Sequence, residues 1–122
     1  MAFHAAASGL TASGLDVIDV GIAPTPTILH AAACYGADGC MTLTASHNPA
    51  EWNGIEFAAE RGKLLAENER EALWRGFREG AASLASWDAQ GEVTARSDAS
   101  DLHIQKILGL GDVDAEAVRR RA

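Results

Sequence analysis

No lysine or arginine occurs among the first 60 residues of this 122-residue chain; all ten cations lie from Arg61 onward. The same stretch holds six acids, Asp16, Asp19, Asp38, Glu51, Glu56 and Glu60, and the formal net charge of the chain is −7. Grip on a phosphate backbone needs clustered Lys and Arg, so nucleic acid is excluded as an expected partner. No apolar run approaches the roughly 20 residues of a membrane span, so no membrane partner is expected. No basic stretch followed by an apolar one opens the chain, so no secretory signal is expected either. Cysteine is limited to Cys34 and Cys40, without CxxC spacing or a nearby ligand set. Two reduced, buried thiols in a cytoplasmic protein are the expectation. Internal repeats and long disordered tracts are also missing. With 48% apolar residues, the chain can form a core of one domain or of part of one.

The residues present alternate between short β-branched runs and helical patterns. AAASGLTASGL reads as the end of a helix, with Gly9 and Gly14 as stops. DVIDVG (16–21) reads as a buried strand. The two prolines of APTPT (23–27) are expected to keep that segment out of either neighbouring element. ILHAAACYG (28–36) has helical composition and ends on Gly36, DGCMTLTA (38–45) is a second strand, GIEFAA (54–59) a third, and RGK a turn. A helix opens at Glu67 or Asn68 and runs to about Phe77 or Gly80, with Leu73 and Phe77 on one face beside Trp74 and Glu71 in reach of Arg75. GEVTA (91–95) suggests an edge strand. Asp98 or Ser100 is placed to cap a helix carrying Ile104, Ile107 and Leu108 on one stripe, and Asp114 to cap a last one ending in Arg119–Arg121. Strands alternating with helices predict an α/β fold with a mainly parallel or mixed sheet. Because the chain enters mid-helix and a three-strand sheet would leave an edge open, an incomplete domain is expected.

The stretch TASHNPAEWNG (44–54) concentrates the polar chemistry. Ser46 follows a strand and precedes a proline turn, a placement that presents a side chain at the carboxyl edge of a sheet, where α/β folds bind ligands. His47 can polarise a neighbouring oxygen, Asn48 and Asn53 can fix the turn through Asx-type bonds, and Trp52 is expected to pack over the loop base. The same residues also suit a capped surface turn bonded only to its own backbone. A serine-hydrolase reading is weak: no GxSxG elbow is present, and a histidine next in sequence usually cannot reach the serine as its base.

GCMTLTASHNPAEWNGIEF closely resembles the active-site signature of the α-D-phosphohexomutase family, the phosphoglucosamine mutases, phosphomannomutases and phosphoglucomutases. GLDVIDVGIAPTPTILHAA upstream resembles that family's strand, PTPT loop and following helix, so the likeness spans about residues 8–65. It implies a three-layer α/β/α sandwich with a mixed sheet, here lacking its N-terminal strands. Residues 1–109 would be the first domain of a multi-domain mutase, and 110–122 a linker or helix leading to a missing second domain. It further implies that Ser46 carries a phosphoryl group, donates it to a hexose phosphate, and recovers it from the other end of a bisphosphate intermediate. A phosphoserine suits that role with about −1.5 to −2 charges and three acceptor oxygens. His47 would be catalytic alongside it, as a loop-organising or phosphate-contacting residue, and Asn48 and Asn53 would contact substrate. Mg2+ is implied as cofactor, held through the phosphate on Ser46 and by an aspartate-rich loop of the missing second domain. The other expected partners are the missing second to fourth domains of the same chain. The Trp of AEWNG resembles the phosphoglucosamine mutase-like branches more than the phosphomannomutases, which commonly have Tyr there.

One residue departs from the pattern. Glu56 stands where the family usually has Lys, and a carboxylate a few ångströms from a phosphate would repel it by about 1–4 kcal/mol at effective dielectrics of 80 to 20. Either the strand register turns Glu56 away, or Lys63 substitutes, or the chemistry has changed. A non-catalytic binding or regulatory domain is therefore the alternative to an enzyme domain, and the fragment alone is expected to be inactive. His4, His30 and His103 are expected in packing or surface roles, and Thr25 and Thr27 as caps of the helix that follows them, whose N-terminus could also receive an anion.

Overall fold

The computed structural model describes residues 1–49 and 51–121. Helix α1 (Ala2–Ala12) runs through Gly9 and ends before Gly14, whose positive φ of 85° turns the chain into strand β1 (Val17–Asp19). Helix α2 (Thr25–Tyr35) begins earlier than predicted. Pro24 takes the N-cap position and Pro26 lies in the first turn, where an amide N–H has no helical partner in any case. The prolines therefore open the helix and are not excluded from it. Gly36 closes α2 in the left-handed region, its φ of 67° free of the Cβ penalty.

Strands β2 (Cys40–Leu43) and β3 (Ile55–Ala58) pair antiparallel, with Thr42 opposite Glu56 and Leu43 opposite Ile55. A 3-10 turn (Glu60–Gly62) and helix α3 (Glu67–Glu79) follow. Strand β4 (Val93–Ala95) then returns to pair parallel with β1, Val17 opposite Val93. Helices α4 (Ala99–Leu108) and α5 (Ala115–Arg119) complete the described residues. The α/β alternation and both pairing senses match the sequence reading, but the strands form two two-stranded ladders in place of one three-stranded sheet.

Packing centres on α2, which lies against α4, β2 and the 3-10 turn. Small residues allow the approach: Ala31 and Ala99 are 0% and 2% exposed, and a Cβ on Gly62 would run into the Leu29 carbonyl. Polar contacts fasten the α2–α4 seam at both ends. Thr27 Oγ1 and His103 Nδ1 are 2.8 Å apart, with the His30 ring 5.5 Å from that of His103. The Tyr35 hydroxyl donates to Asp98 Oδ1 at 2.8 Å, and Arg96 holds the same carboxylate from Nε and Nη2 while lying 4.7 Å from the Tyr35 ring centre.

These contacts correct several expectations. Neither Thr25 nor Thr27 caps α2; Thr27 is buried and faces α4. His30 and His103 have specific neighbours, His30 Nε2 lying 3.5 Å from Cys34 Sγ. Cys34 is exposed and Cys40 only half-buried, so the two thiols are not core residues. Asp98 occupies the N-cap position of α4 without a cap bond because Tyr35 and Arg96 occupy its carboxylate. Asp114 does cap α5, accepting from the Ala117 amide at 2.9 Å. On α3, Glu67 pairs with Arg70, and Glu71 and Arg75 form no ion pair among the described residues.

Candidate functional site

The last rung of the β2–β3 ladder is the Thr44 amide donating to the Gly54 carbonyl at 3.0 Å, and everything between is loop. Gly54 suits that approach, since a Cβ there would lie a tight 3.2 Å from the Thr44 carbonyl. Within the loop, the Ser46 amide donates to Thr44 Oγ1 at 2.9 Å, and the Asn48 amide and side-chain Nδ2 both donate to the Ala45 carbonyl at 3.0 Å. The Gly54 amide donates to Asn53 Oδ1 at 2.9 Å. Asn48 and Asn53 thus fix the turn as the sequence suggested, each committed through one polar atom to the loop's own backbone.

Ser46 has a φ of 52°, a left-handed conformation that costs a non-glycine residue about 1–2 kcal/mol. Its side chain is exposed, and Oγ lies 3.2 Å from His47 Nδ1. A histidine adjacent in sequence usually cannot reach its serine as a base, and here it does come within hydrogen-bond distance. With the imidazole neutral at Nδ1, the hydroxyl donates to it; with Nδ1 protonated, the imidazole donates to Oγ. The pair can therefore move a proton to or from this oxygen. Trp52 is 63% exposed and does not cover the loop base. Thr44 was not foreseen, although a hydroxyl two residues before Ser46 is the spacing of a side-chain-to-backbone turn bond.

Glu56 lies on β3 with its side chain beside a cavity of about 30 Å3, shared with Thr25 and Leu29 of α2, Thr42, and Leu64. The ammonium of Lys63 pairs with Glu60 at 3.2 Å, an exposed ion pair, and is not held free for the loop. Among the described residues no cluster of three or more His, Cys, Asp or Glu side chains has a metal-binding arrangement. No helix among them is long and apolar enough to cross a membrane.

Comparison with known proteins identifies the family of the domain. The family described as "Phosphoglucomutase/phosphomannomutase, alpha/beta/alpha domain I" matches residues 1–83. A probable phosphoglucosamine mutase of Methanopyrus kandleri is 40% identical over 113 residues, 92% of this chain and 25% of the relative. A phosphoglucomutase/phosphomannomutase of Thermococcus kodakarensis is 43% identical over 115 residues, 93% of this chain and 24% of the relative. A phosphoglucosamine mutase of Kineococcus radiotolerans is 34% identical over 108 residues, 85% of this chain and 24% of the relative. The chain spans about a quarter of the length of these curated relatives. By the match over residues 1–83, the chain belongs to the phosphoglucomutase/phosphomannomutase family and carries its α/β/α domain I.

Proposed function

We propose that this chain is the phosphoserine-bearing domain of a cytoplasmic phosphohexomutase, interconverting hexose 6-phosphate and hexose 1-phosphate through a bisphosphate, with phosphoglucosamine as the favoured substrate class. Residues 1–109 form the first domain in this reading, and 110–122 lead to the second. The supporting observation is the exposed Ser46 Oγ, held at a strained backbone position by Thr44 and touched by His47 Nδ1.

The reaction requires the Oγ–P bond to break as a sugar hydroxyl oxygen, giving up its proton to solvent, forms a new bond to phosphorus, and then the reverse at the other end of the sugar. His47 Nδ1, 3.2 Å from Oγ, supplies a proton as that oxygen leaves and accepts one when it attacks again. The loop's internal bonds hold Oγ still through both steps, which matters because phosphoryl transfer rests mainly on positioning and on charge neutralisation. Asn48 and Asn53 retain spare polar atoms for sugar or phosphate contacts.

A phosphorylated Ser46 presents hard oxygen donors that suit Mg2+, and because the described residues hold no cluster of three or more potential metal ligands, the remaining ligands would come from further domains. When bound, the ion neutralises charge on the transferring group. Glu56, a carboxylate in a segment without any Lys or Arg, is the observation that favours the second reading, a scaffold that no longer transfers phosphate.

Intact-mass measurement on the whole protein separates the two. A gain of about 80 Da that maps to Ser46, exchanges with a hexose 1,6-bisphosphate and disappears in Ser46→Ala is expected for the mutase. A whole protein that never carries or exchanges phosphate at this position is a scaffold.

A further inference from the structure

His30 and Cys34 stand four residues apart on α2 and so share one face of that helix. His30 Nε2 lies 3.5 Å from Cys34 Sγ. The imidazole is also in contact with α4: the His103 ring is 5.5 Å away, and His103 Nδ1 is held at 2.8 Å by the hydroxyl of the buried Thr27. Cys34 is exposed, so small solutes reach the pair from solvent. Neither residue belongs to the loop around Ser46.

A nitrogen and a sulfur donor at this spacing suit a borderline divalent cation. Bonds of about 2.3 Å to sulfur and about 2.0–2.1 Å to nitrogen, at a tetrahedral angle, put the two donor atoms about 3.5 Å apart. The side chains already stand at that separation, so neither has to move. We propose that His30 and Cys34 form a chelating site for Zn2+ or a cation of its class, with Nε2 and Sγ as the two protein ligands. Binding exchanges a proton for the ion. The Cys34 thiol gives its proton to solvent as sulfur bonds the metal, and the imidazole, its own proton on Nδ1, supplies the Nε2 lone pair. His103 and Thr27 stand behind His30 and hold its ring in place. Among the described residues no group of three or more His, Cys, Asp or Glu is arranged for a metal, so water completes the coordination and the ion exchanges readily. Mg2+ prefers oxygen donors and is refused here, which separates this site from any that a phosphate on Ser46 would create.

Titration of the reduced, metal-free 122-residue chain with Cd2+, a spectroscopic stand-in for Zn2+, tests the site through the ultraviolet band of a cadmium–thiolate bond. About one Cd2+ per chain is expected to bind, with release of about one proton. Zn2+ should displace it and an excess of Mg2+ should not. The band should persist in Cys40→Ser, vanish in Cys34→Ser, and need about tenfold or more Cd2+ in His30→Gln. Cys34 is exposed, so Cys34→Ser should keep the parental circular dichroism. Three outcomes overturn the proposal: no thiolate band in the parental chain, a band that survives Cys34→Ser, or equal affinity in His30→Gln, which would leave a single thiol in place of a chelate.

Discussion

Ser46 joins two facts that a sequence does not display together: its hydroxyl is in the open, and its backbone is left-handed. The stretch 44–54 is continuous, so the residue types of the site were readable in order. The contact between Ser46 Oγ and His47 Nδ1 was not, because a left-handed non-glycine residue is rare and the local sequence does not announce it. Ser46→Gly removes the Cβ penalty but adds unfolded-chain entropy, and urea titration should find it neutral to about 1 kcal/mol stabilising. Ser46→Val should lose about 1–2 kcal/mol for the opposite reason. A parental stability in the valine variant would contradict the strained geometry. The thiols separate in the same manner. Partial burial pushes the Cys40 thiol upward, against a smaller opposing effect of its Thr42 contact, whereas Cys34 is open to solvent. Maleimide near neutral pH should therefore label Cys34 first, with Cys40 catching up only on denaturation. Equal rates in the folded chain would speak against the half-buried placement.

The elements were legible where the signal was local. Gly36 ended α2, Asp114 capped α5, and the β-branched runs became β1 and β2. What stayed hidden was the fastening between elements, because Tyr35 and Asp98 are 63 positions apart and Thr27 and His103 are 76. No periodicity reports such pairs. The Tyr35–Arg96–Asp98 clamp makes a pH-dependent demand. Arg96 and Tyr35 hold the Asp98 carboxyl well below its usual range, so its contribution is complete above the unfolded value near pH 4 and is lost as pH falls toward the lowered one. Partial burial and the neighbouring Asp98 carboxylate raise Tyr35, so its contribution is complete below about pH 10 and is lost as pH rises through the raised value. Thermal melts across pH should show Asp98→Asn with a lower Tm at pH 7 and a flatter acid limb, and Tyr35→Phe with a flatter alkaline limb. Parental profiles in both variants would mean that the clamp contributes nothing to the α2–α4 seam.

At the scale of the molecule, the surface is too large for the mass. A compact monomer of 12.8 kDa exposes about 6,300 Å2, whereas this chain exposes 9386 Å2. Among the described residues the buried ones are alanines and threonines, and no large side chain is fully buried. Trp52, Trp74, Phe77, Leu84 and Trp87 are among the exposed apolar groups, so the apolar content that promised a core is largely outside it. That composition could not reveal this, since the same residues serve equally well in a core or on a face that another surface covers. Hydrophobic burial is the main favourable contribution to folding, so the shortfall should appear in the unfolding transition itself. For the isolated chain, the transition in urea should be broad. Its m-value should lie at or below the lower end of the roughly 1–3 kcal/mol/M of small domains, and a dye of the ANS type should bind before any denaturant is added. Within the whole protein the same segment should resist hydrogen exchange more strongly, at α2 above all, because that helix already gathers most of the contacts. A steep single transition without dye binding in the dilute chain would show that small-residue packing around Ala31 and Ala99 is enough to hold the fold by itself.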